Sequence, residues 1–191
     1  MSELLIDAVG SNVPSIVQAF GKHHPVQGYI WQPGVLSYIP WTAAQLAEFP
    51  GHFLTATRPG RPQDARHARE LDVETFDATA EDVVPWLVAR HDDFGHDDGQ
   101  VYCDLSNLAG VIASIIEGGI YGHHWWSLRI AWYWGRPAAP TRDQVLTEAN
   151  RFLAGAGLPA LEPQRLKICQ WQAAGPYDKN AVYGPYDYTR P

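Results

Sequence analysis

The stretch VYCDLSNLAGVIASIIEGGIYGHHWWSLRIAWYW (Val101–Trp134) has the pattern of a strand, a helix and a second strand. The apolar runs Val101–Cys103 and Leu128–Trp134 predict the two strands. Between them, apolar side chains recur every three or four residues, which is typical of a helix that packs one face against a core. Gly118 and Gly119 are expected to end that helix. Its apolar positions are Leu108, Val111, Ile112, Ile115 and Ile116.

The same alternation continues along the rest of the chain. Capping sequences mark helix starts at Ser11-Asn12, Thr42–Gln45, Thr79–Asp82 and Thr141–Gln144. Eight strand candidates, most of them followed by a helix, predict an α/β fold: a single-domain (β/α)8 TIM-type barrel of parallel strands over residues 1–191. The six further strand candidates are Leu4–Val9, Val26–Trp31, Phe53–Thr57, Glu70–Glu74, Leu166–Trp171 and Ala181–Tyr183.

The chain is short for such a barrel, because 191 residues compare with about 250 in a typical one. The shortage has two expected places, with short or missing helices around residues 58–69 and 172–178. The first contains two prolines, and the second offers no helical pattern. A doubly wound open sheet would need fewer strands. However, no glycine-rich phosphate loop follows any strand, so the nucleotide-binding form of that fold has no support.

Composition limits the classes of function. Hydrophobic residues make up 46% of the chain and charged residues 18%, which is typical of a globular domain with a filled core. A net charge of −7 argues against nucleic-acid binding. No apolar run approaches the roughly 20 residues of a membrane span. The N-terminus lacks a basic segment followed by an apolar one, so we expect no signal peptide and synthesis in the cytoplasm, with virion association or leaderless release to the cell wall.

Neither metal nor thiol chemistry is expected. The segment HDDFGHDDG (His91–Gly99) is rich in possible ligands, but its spacing matches no standard metal motif. Cys103 and Cys169 lie in apolar strand-like runs, which predicts two free buried cysteines without an activating base. We therefore predict no metal and no cofactor. Eight Trp and nine Tyr instead suit a cleft that stacks on sugar rings.

Four acidic residues are expected at the end of the barrel where active sites lie: Asp7, Asp72, Glu74 and Asp178. Asp72 and Glu74 are two residues apart, so in a strand their side chains point to the same side, about 6.6 Å apart along the backbone. Two carboxylates this close repel, which raises a pKa and keeps one group protonated. Glycoside hydrolysis needs such a pair, one acid for the leaving oxygen and one carboxylate for the developing cation.

Several segments resemble one enzyme family. LLIDAV (Leu4–Val9) and LDVE (Leu71–Glu74) are similar to the first strand and the D-x-E strand of the glycoside hydrolase family 25 lysozymes (Chalaropsis type). The stretch 28–51 and the VYC strand look closest to the actinobacterial and phage group described as glycoside hydrolase-like. The resemblance runs through residues 4–184. Its further segments are VYCDLS (Val101–Ser106), RIAWYWG (Arg129–Gly135), KICQWQ (Lys167–Gln172) and YDKNAVYG (Tyr177–Gly184).

The resemblance implies a muramidase that cuts the glycan of peptidoglycan or a related polymer. Glu74 would be the general acid/base, Asp72 the carboxylate that supports it, and Asp7 and Asp178 the rest of an acidic floor. One departure is the loop 8–12, which lacks the S-x-x-Q-G sequence that follows the first Asp of the family. The groove would be lined by Trp132, Tyr133, Trp134, Tyr102 and Trp171.

A protein of another class remains open at this point. A non-catalytic structural or glycan-binding barrel, such as a phage particle component, would keep the aromatic groove and tolerate the loss of Glu74. An enzyme would not. All four acidic positions are occupied by carboxylates here, which favours the enzyme. The expected partner is peptidoglycan or a related glycan, with no nucleic acid and no membrane, and the sequence does not indicate an oligomeric state.

Overall fold

The computed structural model describes residues 3–30, 39–58, 68–133, 137–173 and 175–188. Eight strands form a closed barrel in which each strand pairs with its neighbours in chain order. This confirms the predicted (β/α)8-type barrel. The strands are β1 (Glu3–Asp7), β2 (Val26–Tyr29), β3 (His52–Ala56), β4 (Glu70–Val73), β5 (Gly99–Asp104), β6 (Trp126–Ala131), β7 (Leu166–Ala173) and β8 (Asp178–Val182).

Helices connect most of the strands on the outside of the barrel. Capping boxes at Thr42, Thr79 and Thr141 begin three of them, as the sequence predicts. Asn12 is the N-cap of the first helix, but its side chain makes no capping hydrogen bond. Residues 59–67, where a helix was expected to be short or missing, lie outside the described residues. The helices are α1 (Val13–Phe20), α2 (Ala43–Leu46), α3 (Ala80–Phe94), α4 (Leu108–Glu117) and α5 (Arg142–Gly155).

The last strand corrects one prediction. β8 is antiparallel to both β7 and β1, so the ring is not entirely parallel. Only four residues, 174–177, separate β7 from β8, and a parallel crossover needs a dozen or more. The chain therefore turns back as a hairpin, consistent with the missing helix predicted there. As a result, the first residue of β8 lies at the barrel end where the other strands finish, and Asp178 is paired with Asp7.

Apolar clusters lie outside the barrel wall and at one end of its interior, and a second outer cluster packs α1 and α2 against β1 and β2. The outer cluster lies between the strands and the helices, and it includes both cysteines, which are free and buried as expected. A smaller inner cluster closes the end opposite Asp178, where Tyr186 and Tyr188 pack below it. The inner cluster consists of Leu5, Phe53, Ile168 and Val182. Above it, the interior of the barrel is polar.

A search of the described residues for a membrane-spanning segment found no helix with the necessary length and apolar character.

Candidate active site

Arg129 occupies the centre of the barrel. It extends from β6, is 1% exposed, and donates all five of its N–H groups to side chains from other strands. A buried guanidinium destabilises the folded state least when each of its N–H groups has an acceptor, as here. Its acceptors are Asn180 Oδ1 (3.1 Å), Gln27 Oε1 (3.0 Å), Glu70 Oε1 (2.9 Å), Asp7 Oδ2 (2.5 Å) and Gln170 Oε1 (2.9 Å).

The two remaining strands also contribute to this network. Thr55 of β3 donates to Glu70 Oε1 at 2.9 Å and accepts a hydrogen bond from Gln27. The ring of Tyr102, on β5, lies 4.6 Å from the guanidinium carbon of Arg129. Each of the eight strands therefore supplies one side chain. We call this set, with Arg129 at its centre, the arginine hub.

The four predicted carboxylates converge above the arginine hub. Asp7 ends β1 and bonds Arg129 directly, while Asp178 begins β8 and accepts a hydrogen bond from Gln170 Nε2 at 3.0 Å. Asp72 lies in β4 and is 2% exposed. Glu74 follows β4 directly and is only partly buried. Asp178 is paired with Asp7, Asp72 and Glu74 have carboxylate oxygens within 4.8 Å of each other, and the charge of Glu74 acts on Asp178, so the four groups share one end of the barrel.

Burial raises the pKa of every carboxyl group in this cluster. The pKa of Asp72 is raised well above its usual value, by desolvation and then by the charge of Glu74, and its Oδ1 has no hydrogen-bond partner among the described residues. Burial raises the pKa of Asp178 to about 7. It also raises the pKa of Asp7 against the opposing effect of Arg129. The cluster can therefore hold protons at a pH where exposed carboxyl groups have lost them.

Glu74 behaves as expected in direction but for a different reason. Its pKa is raised mainly by burial, and the charges that raise it further are those of Asp104 and Asp77. A hydrogen bond from the Tyr102 hydroxyl opposes this rise. The apolar neighbour Phe76 gives Glu74 no apolar wall, since Phe76 is 91% exposed. The backbone turn after Glu74 directs Phe76 outward, which alternation along a strand does not predict.

The predicted groove aromatics divide into two groups. Tyr102 and Tyr133 lie at the mouth: Tyr102 contacts Glu74, and the Tyr133 hydroxyl accepts a hydrogen bond from Gln170 Nε2 at 3.4 Å. Trp132 and Trp171 do not line the mouth, because both pack against the outer cluster. The ring of Trp171 lies 5.9 Å from the Lys179 ammonium, on the outer side of β8.

Two observations account for this division. β6 ends at Ala131, before the predicted end at Trp134, and Trp132 lies three residues after the inward Arg129, so alternation places it on the outer side. Trp171 follows Gln170, whose side chain bonds Arg129 inside the barrel, so Trp171 also lies on the outer side. Trp134 lies outside the described residues.

The His91–Gly99 segment has protein partners for its charges. Asp97 Oδ1 lies 2.8 Å from His91 Nδ1, and Asp98 forms ion pairs with Arg90 at 2.8 Å and Arg69 at 3.5 Å. In the part of the chain that the structure describes, one group alone brings three possible ligand atoms within 4.8 Å of one another. That group is Asp72, Glu74 and Asp77, at the mouth.

Sequence reasoning missed Arg129, Glu70 and Asp77. Arg129 had a recognisable signal, because it stands alone between Leu128 and Ile130 in a strand with outward apolar neighbours. A charged residue at an inward position of a barrel strand must be paired, which predicts acidic partners on other strands.

The Glu70→Gln variant tests the electrostatics of the hub. Burial raises the pKa of Glu70 to about 7, so the folded protein holds a proton that the unfolded chain releases above pH ~4.3. Stability therefore falls as pH rises between these values. Glutamine keeps an oxygen for Arg129 and removes the titration. We expect the melting temperature of the variant, relative to wild type, to rise from pH 5 to pH 8 by on the order of 5 °C.

Thermal melts of both proteins at the two pH values measure this difference. Glu117→Gln makes the same change on an exposed residue at the end of α4, and it should reproduce the wild-type pH dependence. If the melting temperatures of Glu70→Gln and wild type differ by the same amount at pH 5 and pH 8, the raised pKa of Glu70 is contradicted.

No protein-family model matches the chain, and no curated protein sequence matches it. A solved structure that is similar is the catalytic domain of the endolysin ply40 from bacteriophage P40 of Listeria monocytogenes. The match covers 96% of this chain and 94% of that one, with 11% sequence identity and a TM-score of 0.44.

Proposed function

We propose that this protein is a glycoside hydrolase that cleaves the glycan strands of peptidoglycan. The observation that carries the proposal is the position of Glu74, a partly exposed carboxyl group with a raised pKa, beside the fully buried carboxyl group of Asp72. Asp7 and Asp178 complete the acidic cluster at the same end of the barrel. The resemblance of LDVE and its flanking segments to family 25 lysozymes supports peptidoglycan as the substrate.

In the proposed mechanism, Glu74 is the general acid/base. It is the member of the Asp72–Glu74 pair that solvent, and therefore substrate, can reach. Its raised pKa lets it carry the proton that the leaving glycosidic oxygen needs. The Tyr102 hydroxyl, which burial keeps protonated by raising its pKa, donates to Glu74 and orients it. After the bond breaks, the same carboxylate accepts a proton from the attacking water.

The other carboxyl groups have an electrostatic role in this proposal. Cleavage of a glycosidic bond passes through an oxocarbenium-like state, which negative charge stabilises. Asp72 is too deeply buried to reach the leaving oxygen. The two groups share a proton, and in the reactive form that proton lies on Glu74, so the ionised Asp72 supports the cation. Asp7, bonded to Arg129, fixes the position of the floor.

The proposal is tested with the wild-type protein and purified peptidoglycan. Glycan cleavage releases new reducing sugar ends, whereas amidase or peptidase activity releases amino groups, so both are measured in parallel. We expect reducing ends alone. Binding to peptidoglycan without any new reducing ends, on cell walls of several compositions, would contradict hydrolysis and indicate the glycan-binding barrel instead.

The spacing of the pair predicts the stereochemistry of the products. Asp72 and Glu74 each place a carboxylate oxygen within 4.8 Å of the other. Inverting glycosidases separate their carboxyl groups by about 6.5–9.5 Å to admit a water molecule, while retaining ones hold them about 5–5.5 Å apart. We therefore expect retention of the anomeric configuration, measured by NMR on the first products. Initial release of the inverted anomer would contradict this assignment of the pair.

A further inference from the structure

Phe76 is exposed to an unusual degree. Its side chain is 91% accessible, compared with 59% for Tyr133 and 39% for Phe152. It lies two residues after Glu74, on the loop that joins β4 to α3 at the mouth of the barrel. An apolar ring in water loses the stabilisation that burial would give. The fold itself therefore gains nothing from this ring.

The backbone at Phe76 is also unfavourable. Its φ of 77° lies in the left-handed region, and it is the one non-glycine residue with positive φ among the described residues. A bulky side chain is rarely found there, and such strain is concentrated at ligand-binding and active sites. Glycine would adopt the same conformation without the steric cost.

The strained turn is tied to the two central carboxylate residues. The Asp77 N–H donates to the Glu74 carbonyl at 3.1 Å, and the Ala78 N–H donates to the Asp72 carbonyl at 3.1 Å. These bonds fix the position of Phe76 relative to the Asp72–Glu74 pair. The ring therefore projects from a fixed point of the backbone, two residues after the proposed acid/base.

A second exposed aromatic stands on another loop of the same mouth. Tyr133 follows β6, and the charges of Asp178 and Glu74 both act on its hydroxyl. β5 separates the β4 loop from the β6 loop in the barrel, which corresponds to two strand spacings of about 4.8 Å each. The two rings therefore stand at different points along the mouth, as contacts to successive units of a chain would.

We propose that Phe76 is a substrate-contacting residue whose ring stacks on the apolar face of a sugar next to the bond that Glu74 cleaves. This inference rests on the proposed function and adds a residue that recognises the glycan. Contact with a sugar ring buries the exposed phenyl group, and the turn already fixes the backbone from which that group projects, which lowers the cost of ordering it on binding.

The test compares Phe76→Gly, Phe76→Tyr and wild type for affinity to insoluble peptidoglycan, by co-sedimentation, and for KM in the reducing-end assay. We expect Phe76→Gly to weaken binding and raise KM about five- to tenfold. Its melting temperature should rise by about 2–4 °C, because the backbone strain is relieved. Phe76→Tyr keeps an aromatic face and should bind as wild type does. Phe152→Ala removes an exposed ring from α5, and it should change neither the affinity for peptidoglycan nor KM.

The outcomes separate this proposal from the hydrolase proposal. Unchanged affinity and KM in Phe76→Gly, with wild-type cleavage intact, would overturn the role of Phe76 alone. Wild-type binding that depends on Phe76 without any cleavage would support Phe76 and overturn hydrolysis. A wild-type protein that neither binds nor cleaves overturns both. Phe76-dependent binding to anionic lipid vesicles, with glycan binding unaffected, would assign the ring to a membrane surface and overturn the proposal.

Discussion

Replacing Glu74 with glutamine is expected to slow peptidoglycan cleavage by about 10²–10⁴-fold, the range that a positioned general acid contributes. The amide has nearly the same shape and can still accept the hydrogen bond from Tyr102, but it cannot give a proton to the leaving oxygen. The fold should tolerate the change. Because burial raises the pKa of Glu74, its ionised form is a cost to the folded state that a neutral amide does not carry.

The measurement combines an initial rate and a thermal melt on the same preparation. Glu117→Gln provides the matched control, since it makes the same chemical change on an exposed residue at the end of α4. A Glu74→Gln protein that is folded and cleaves within tenfold of the wild-type rate would remove Glu74 from the mechanism. A variant that loses both structure and activity would be followed by Glu74→Asp, which shortens the acid and keeps its charge.

The barrel could be predicted from the sequence because the signals for its strands and helices are local. Capping boxes at Thr42, Thr79 and Thr141 and the apolar stripe of α4 each depend on residues within one turn of helix. The acidic cluster was accessible for a related reason: in a barrel the strand ends meet at one face, so Asp7 and Asp72 could be placed together from topology alone. The D-x-E spacing then identified the pair.

Features that depend on tertiary contacts between distant segments could not be predicted from local sequence patterns. The direction of β8 followed from the length of the 174–177 connection, which excludes a parallel crossover but resembles any short loop in sequence. The outward position of Trp171 follows from the inward position of its neighbour Gln170, which is fixed by a bond to Arg129 of another strand. The exposure of Phe76 results from a positive φ that nothing in the residue type predicts. Each depends on how a neighbouring segment is placed.

The arginine hub is the clearest case. Its members come from all eight strands, and the residues that accept hydrogen bonds from Arg129 lie 41 to 122 positions away along the chain. No local pattern links them. What the sequence does contain is a set of polar residues at inward strand positions, such as Gln27, Gln170 and Asn180, each of which is buried in the structure. The interior also holds the carboxyl groups of Asp7 and Glu70, and Arg129 supplies the cation that pairs with both.

Replacing Arg129 with methionine is therefore expected to destabilise the protein by about 3–5 kcal/mol, the usual cost of removing one partner from a buried ion pair. Asp7 and Glu70 would lose their shared cation, and five acceptors would lose a donor. The free energy of unfolding, measured by urea denaturation at pH 7, gives the value. Arg151→Met, which removes an exposed arginine paired with Glu148 on α5, should cost no more than about 1 kcal/mol.

A second set of variants separates charge from packing. If the cost of Arg129→Met comes from uncompensated carboxylates, it must shrink at low pH, where Asp7 and Glu70 are protonated and need no cation. Adding Glu70→Gln to Arg129→Met should recover part of the loss at pH 7 and little at pH 4. The coupling energy of this double-mutant cycle measures the ion pair itself. A loss that is equal at both pH values and unaffected by Glu70→Gln would show that Arg129 supports the barrel by filling its interior and not by its charge.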